Sequence, residues 1–293
     1  MTDQVIYDRG YRTYDGPRLG PRGARRAVYK DGVRRVLGLG RKGRQKIFPW
    51  SLIAIALIAA AVFVGVHWAI GNIEESARQQ IPTYGGLFDF YSGISLLFIA
   101  LAGPQLLIPD RTKGVLSVYF SRPLTVEGYL TSKVGAFATV VGAIYLVPQV
   151  VLHLGLGLIA DEGFLPYMGD NLDILWKVPV TTLAFVALHG AVVFILSAVI
   201  DRTGIAAASF LGILFAGGAI AGRVAEAGFP GARFAALLAL DHHPRIIRDE
   251  LLGDTVDYAP EVAGFEVWVS VAVIVGLVAL AAWFVRARYR RLA

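Results

Sequence analysis

The chain contains no cysteine, which excludes both a disulfide framework and a thiolate metal site. It is also short of charge. Asp, Glu, Lys and Arg make up 17% of the residues, against 56% hydrophobic ones and a mean hydropathy of +0.59. That balance lies outside the usual range of soluble domains. Two nucleotide motifs are incomplete. Gly38-Leu39-Gly40-Arg41-Lys42-Gly43 fits the dinucleotide pattern in spacing, but no strand precedes it and no βαβ unit surrounds it. A phosphate-binding loop would need Gly-Lys-Ser/Thr where Gly43-Arg44-Gln45 stands.

What the chain does have is long apolar runs. Several approach or exceed the roughly 20 residues a helix needs to cross a bilayer. They are continuously apolar rather than alternating, which excludes a β-barrel. The runs predict an all-α polytopic membrane protein with six spans at residues 50–70, 87–108, 134–160, 178–200, 205–222 and 264–285. Trp50, Trp68, Trp176, Trp268 and Trp283 all fall near span ends, where amphipathic rings anchor at the interface. The first run, from Trp50, lies behind a long basic segment and is too long for the core of a cleavable signal.

Basic residues are divided unequally by this topology. Thirteen lie between Arg9 and Lys46; Arg111, Lys113, Arg122 and Lys133 follow in the 109–133 loop, then Arg202, and finally Arg286, Arg288, Arg290 and Arg291. Twenty-two of the 28 are thus on one side, so both termini are expected in the cytoplasm. The net charge of +6 reads as membrane topology rather than as a nucleic-acid surface.

The arm, residues 1–49, divides in two. Residues 1–23 are rich in Gly, Pro, Tyr and Arg and should lack a core. Residues 25–40 predict an amphipathic interfacial helix, with Tyr29, Val33, Val36, Leu37 and Gly40 on one face and Lys30, Asp31, Arg34 and Arg35 on the other. A solvated basic linker is the alternative. Outside, residues 223–263 are semi-apolar and expected either as short helices on the outer leaflet or as a re-entrant segment. Residues 286–293 form a basic tail.

The 109–133 loop has an ordered grammar. Pro109 is expected to end the second span at Ile108. Asp110 would then cap a short helix running through Tyr119, Ser121-Arg122-Pro123 would break it, and Thr125 would cap the next. Asp110-Arg111, Gly114-Val115-Leu116, Arg122-Pro123 and Tyr129-Leu130-Thr131-Ser132-Lys133, in this order, resemble the permease subunits of type-2 ABC exporters. Tyr7, Gly10-Tyr11-Arg12, Tyr14, Gly16 and Arg18 also look like the arm of bacterial six-span members. The topological likeness covers the whole chain, whereas the specific motifs cover about 30 residues.

The resemblance implies a location in the bacterial plasma (inner) membrane and no covalent chemistry on this chain. It implies two copies of a separate ATP-binding subunit that carry ATP and Mg, and a second permease, identical or homologous. Asp110, Arg111, Gly114 and Leu116 would belong to a coupling helix, with Arg122, Pro123, Tyr129 and Lys133 setting its exit into the third span. Each basic residue taken singly also fits plain positive-inside topology. The rival class is an ion-gradient-driven secondary transporter or channel, which would call for internal repeats and buried carboxylates. Neither is evident in spans poor in Asp and Glu. An intramembrane enzyme is disfavoured because Ser92, Ser95, Ser197 and Ser209 have no assignable base.

Other residues carry two readings. Asp89 and Tyr91 could line a substrate path or sit as interfacial polar groups. His67, His153 and His189 lie in or at the ends of spans, where an ionisable group suggests function, although a neutral histidine also packs well. Asp241-His242-His243 has the residue types of a metal site, but adjacent helical histidines diverge by about 100° and no third partner is assigned. No metal or cofactor is therefore expected on this chain. Gly204, Ala208, Gly212 and Ala216 form a small-residue stripe, suited to a helix–helix interface between chains or within this one.

Overall fold

The computed structural model describes residues 16, 19–39, 43–71, 84–121, 123–225, 227, 231–253 and 258–292. It is all-α, with no strand among the described residues. Among the described residues twelve α-helices follow in chain order: α1 Gly20–Val36, α2 Arg44–Gly71, α3 Tyr84–Ala102, α4 Pro104–Thr112, α5 Leu116–Phe120 and α6 Val126–Ile159. After them come α7 Phe164–Asp170, α8 Ile174–Val199, α9 Thr203–Ala225, α10 His242–Leu252, α11 Ala259–Val262 and α12 Val267–Arg290. A 3₁₀ helix, Ala232–Leu238, precedes α10.

Among the described residues six helical stretches are long and apolar enough to cross a bilayer: Lys46–Ile70, Tyr84–Thr112, Val126–Ile159, Ile174–Val199, Thr203–Ala225 and Val267–Arg290. The chain is a multi-pass membrane protein. The contacts of Arg111 with Asp201 and of Glu127 with Arg286 and Arg290 bring the turns after α4 and α8, the start of α6 and the end of α12 to one end of the bundle, here termed the basic end. Each span runs past its expected limit at one end at least, because helices continue beyond the apolar run that marks them in sequence. The third and fourth stop one residue short of their expected ends, and the sixth begins three residues late. α6, with 34 residues, is about 51 Å long and outreaches a hydrocarbon core of roughly 30 Å. The five tryptophans are all well exposed, as interfacial anchors must be.

The second and fourth spans form the centre, and α2, α9 and α12 present most of their surface outward. At the core, Phe185 of α8 stacks on Phe88 of α3 (5.8 Å) and on Tyr145 of α6 (5.2 Å). Such pairs contribute roughly 0.5–1.5 kcal/mol each beyond the area they bury.

Two local expectations are corrected. The second span does not end at Ile108. Its helical ladder is interrupted at Gly103, where Pro104 lacks the N–H to continue it, and Pro109 lies inside α4. The helix runs on to Thr112 because Asp110 is drawn into tertiary ion pairs, so Asp110 caps nothing. Gly114, at φ +66°, instead turns the chain in the left-handed region that glycine accepts without strain, and α5 spans only five residues. The cap on the next helix is as expected: the Gly128 amide donates to Thr125 Oγ1 at 3.1 Å.

The arm helix, α1, begins and ends earlier than expected. Gly40 lies outside the described residues, as do residues 1–15, 17 and 18 with the arm motifs they carry. Arg35 is not on a solvated face, and Asp31 is only partly so. α1 packs along α6, and they turn into that contact with Asp110 and Lys133. The approach is close at Gly32, where a Cβ would lie 2.7 Å from the Ala136 Cβ.

Gly32→Ala should therefore force the helices apart and cost about 1–3 kcal/mol. Gly142→Ala on α6, where a Cβ would meet nothing within 4 Å, should be neutral or mildly stabilising. Thermal unfolding of the two variants in the same detergent checks the contrast.

Candidate functional site

Among the described residues the buried charges fall into two clusters, one toward each end of the bundle. The cluster at the basic end is centred on Asp110, which is 1% exposed. Arg35 Nη1 of α1 donates to Asp110 Oδ1 at 2.5 Å. Lys133 Nζ of α6, fully buried, lies 2.9 Å from Oδ2, and the Tyr129 hydroxyl donates to the same oxygen at 2.9 Å. Asp31 extends the network by pairing with Arg35 at 2.8 Å. Burial opposes the charge on Arg35, but Asp110 and Asp31 outweigh it and raise the guanidinium above its ordinary value.

One residue further on, Arg111 reaches across to α8. It donates to the Ile200 carbonyl at 2.6 Å, to the Ser197 carbonyl at 3.2 Å, and to Asp201 Oδ1 at 2.6 Å. The ring of Tyr129 stacks on Tyr289 of α12 at 5.8 Å, and Glu127 takes Arg286 and Arg290 from the same helix. A single turn of α4 thus ties α1, α6 and α8 together, and α6 ties in α12. From this fixed base α4 and α5 project a tip on which Lys113, Ser117 and Val118 are exposed while Leu116 is buried.

Of the residues singled out in this loop, Asp110, Arg111, Tyr129 and Lys133 are brought together or aligned. Gly114 makes the turn, Leu116 roots the tip, and Pro123 is exposed. Arg122 lies outside the described residues.

The opposite cluster involves α10. Asp241 accepts from His189 Nε2 at 3.0 Å and from Arg245 Nε at 2.9 Å. Arg245 also donates to Asp89 at 2.6 Å and to the Ser92 hydroxyl at 2.9 Å, while Arg248 pairs with Asp89 at 2.5 Å and with Asp249. His189 sits just past the middle of the 26-residue α8. The contact therefore draws the start of α10 deep between the spans, and α10 carries fully buried His243 and Arg248. Within 223–263 the described residues form short helices, of which α10 is packed against the spans while Phe234, Leu238 and Val262 stay exposed.

The histidines of this segment are committed. His243 Nδ1 lies 2.9 Å from Ser270 Oγ and its Nε2 2.9 Å from the Leu237 carbonyl, and His242 Nδ1 accepts from the Ala259 amide at 3.3 Å. Among the described residues no three His, Asp or Glu side chains converge as metal ligands. Burial lowers both His242 and His243 below the usual histidine value. Burial would raise Asp241, but the hydrogen bond from His189 and the charge of Arg245 prevail and hold it well below the carboxylate range.

Tyr91 donates to the Tyr145 carbonyl and accepts from Gln149, which places it in the core between the clusters. His153 lies 2.7 Å from the Tyr84 hydroxyl, which is also 3.0 Å from that of Tyr167. Gly204, Ala208, Gly212 and Ala216 are exposed on α9, so they do not pack within the chain. Sequence reasoning missed Arg35, Asp201, Tyr289 and the Glu127 pairs. The i,i+4 spacing of Asp31 and Arg35 was a signal, but the same spacing marks countless solvated helices.

No family model matches this chain, and no curated protein matches it in sequence.

Two outcomes follow. Asp110→Asn should leave buried Lys133 without its nearest counter-charge, with only Asp31 at 3.7 Å, and cost about 3–5 kcal/mol, whereas Asp110→Leu combined with Lys133→Met should recover much of the loss. Chemical or thermal denaturation of the three chains measures this. Separately, His242 and His243 are bases with depressed values in the folded chain. Their contribution to stability is complete above the unfolded value of about 6.5 and declines as pH falls below it. Protection factors of amides in 242–252, corrected for the intrinsic exchange rate at each pH, should fall between pH 7 and pH 5, while Asp241, already depressed, contributes no loss in that window. Protection factors flat across this range would contradict the assignment.

Proposed function

We propose that the chain is the membrane-spanning permease of an ATP-driven exporter, moved by a separate ATP-binding subunit at its basic end. The observation that supports this most is the rigid tip. A partner can transmit force only through an element that does not yield, and α4–α5 is rooted by Asp110 and Arg111 in α1, α6 and α8. Two partner subunits would each engage one such tip in a pair of permeases, with the termini in the cytoplasm and the assembly in a bacterial plasma membrane. Closure of the ATP-bound partners would displace the tips and bias the spans between two arrangements, which is differential stabilisation of membrane states by a bound partner. This chain would bind no nucleotide or metal of its own.

A second reading has one observation in its favour. His189, Asp241 and Arg245 are ionisable groups held at depth, as proton-coupled carriers require. The first reading is preferred because each of these groups is matched by a neighbour from the same chain, which suits a structural closure of the opposite end.

The deciding experiment is purification from the native membrane in mild detergent. A stoichiometric ATPase subunit should accompany the chain. Val118→Asp, on the exposed face of the tip, should cut that association by about tenfold or more, as central contacts do, without changing the melting temperature. A chain that purifies alone, and that transports only when a proton gradient is imposed, would establish the second reading instead.

A further inference from the structure

An apolar cleft of about 250 Å³ opens where α1, α2 and α6 meet. Val33 and Leu37 of α1, Ile53 and Leu57 of α2, and Ala143 and Val147 of α6 line it. Thr139 also borders the cleft, but its hydroxyl is engaged by Tyr29 at 3.0 Å. Dry apolar cavities of about 150 Å³ already hold a benzene-sized ligand, so this space accommodates a longer hydrocarbon segment. The walls on α2 and α6 belong to spanning helices, so the cleft runs into the apolar zone.

The cleft continues into charge. At 100° per residue, Arg26, Lys30, Val33 and Leu37 fall on one stripe of α1 about 60° wide. Arg26 and Lys30 are exposed, and among the described residues neither has an ion-pair partner. One helix face thus presents two cations and then two aliphatic side chains that enter the cleft. We propose that this is a binding site for one anionic phospholipid, its phosphate on Arg26 and Lys30 and an acyl chain between α2 and α6.

A second copy of the chain fits less well. The acids described at the basic end are already engaged: Asp31 with Arg35, Asp110 with Arg35 and Lys133, Glu127 with Arg286 and Arg290, and Asp201 with Arg111. None is left to answer the two cations. An ordinary leaflet lipid supplies both the anion and the hydrocarbon in one molecule. Occupied, the site would fill the gap beside α1 and steady the helix that holds Arg35 against Asp110.

Native mass spectrometry of the purified full chain tests the site, with phosphatidylglycerol and phosphatidylcholine of identical chains as probes. One phosphatidylglycerol should be retained at least fivefold more strongly than phosphatidylcholine. Arg26→Gln with Lys30→Gln, both at exposed positions, should abolish that preference. Ala143→Phe, at an exposed wall position, should weaken retention of both lipids. Equal retention of the two lipids by the unaltered chain would overturn the proposal, and so would a preference unmoved by the double variant. Displacement of the lipid by glycerol phosphate alone would remove the acyl part of the claim and overturn it as well. Because the chain has no native cysteine, Ala143→Cys reports a competing occupant directly. Disulfide-linked pairs formed with loss of bound lipid would assign the cleft to a second copy.

Discussion

The basic end of this protein depends on one buried carboxylate. Asp110 has no hydration to stabilise its charge, and an isolated carboxylate in such a place costs many kcal/mol. Arg35 of α1 and Lys133 and Tyr129 of α6 make the position tolerable, and so fix how these two helices meet α4. Net stability is not the main gain, since buried ion pairs roughly break even against well-packed apolar groups. What the cluster supplies is uniqueness. Slippage of α1 along α6, or of α4 against either, would strand a charge.

That logic explains the placement of the tip. Arg111 fastens the neighbouring face of the same helical turn to the carbonyl end of α8, where the helix leaves its last acceptors open. With two adjacent residues pinned in different directions, the short α5 beyond Gly114 is set at a defined angle. At the other end Asp241, Asp89 and their arginines do a comparable job, drawing α10 between the spans. The bundle is thus closed at both ends by charge and joined through the middle by aromatic stacking.

Much of this was legible in the sequence, and the reasons are specific. The six apolar runs announced the spans because a bilayer demands them, and Thr125 announced a cap because its chemistry is local. Pro109 misled because the preference it imposes is worth little beside the pairing of the next residue, Asp110, with side chains of two other helices. Arg35 looked solvated because amphipathicity records only where water is tolerated, not where a distant partner waits. His189 and Asp241 were each visible as candidates, yet nothing in a span or a loop taken alone places them 3.0 Å apart.

The most direct test of this account is residue-resolved hydrogen exchange on the full chain carrying Asp110→Asn. If the carboxylate joins three helices into one body, amides of α1, of α4–α5 and of the first turns of α6 should lose protection together and by a similar factor, while α10 is unaffected. Loss confined to the α4–α5 tip, with α1 still protected on α6, would contradict the claim that Asp110 organises this end of the protein.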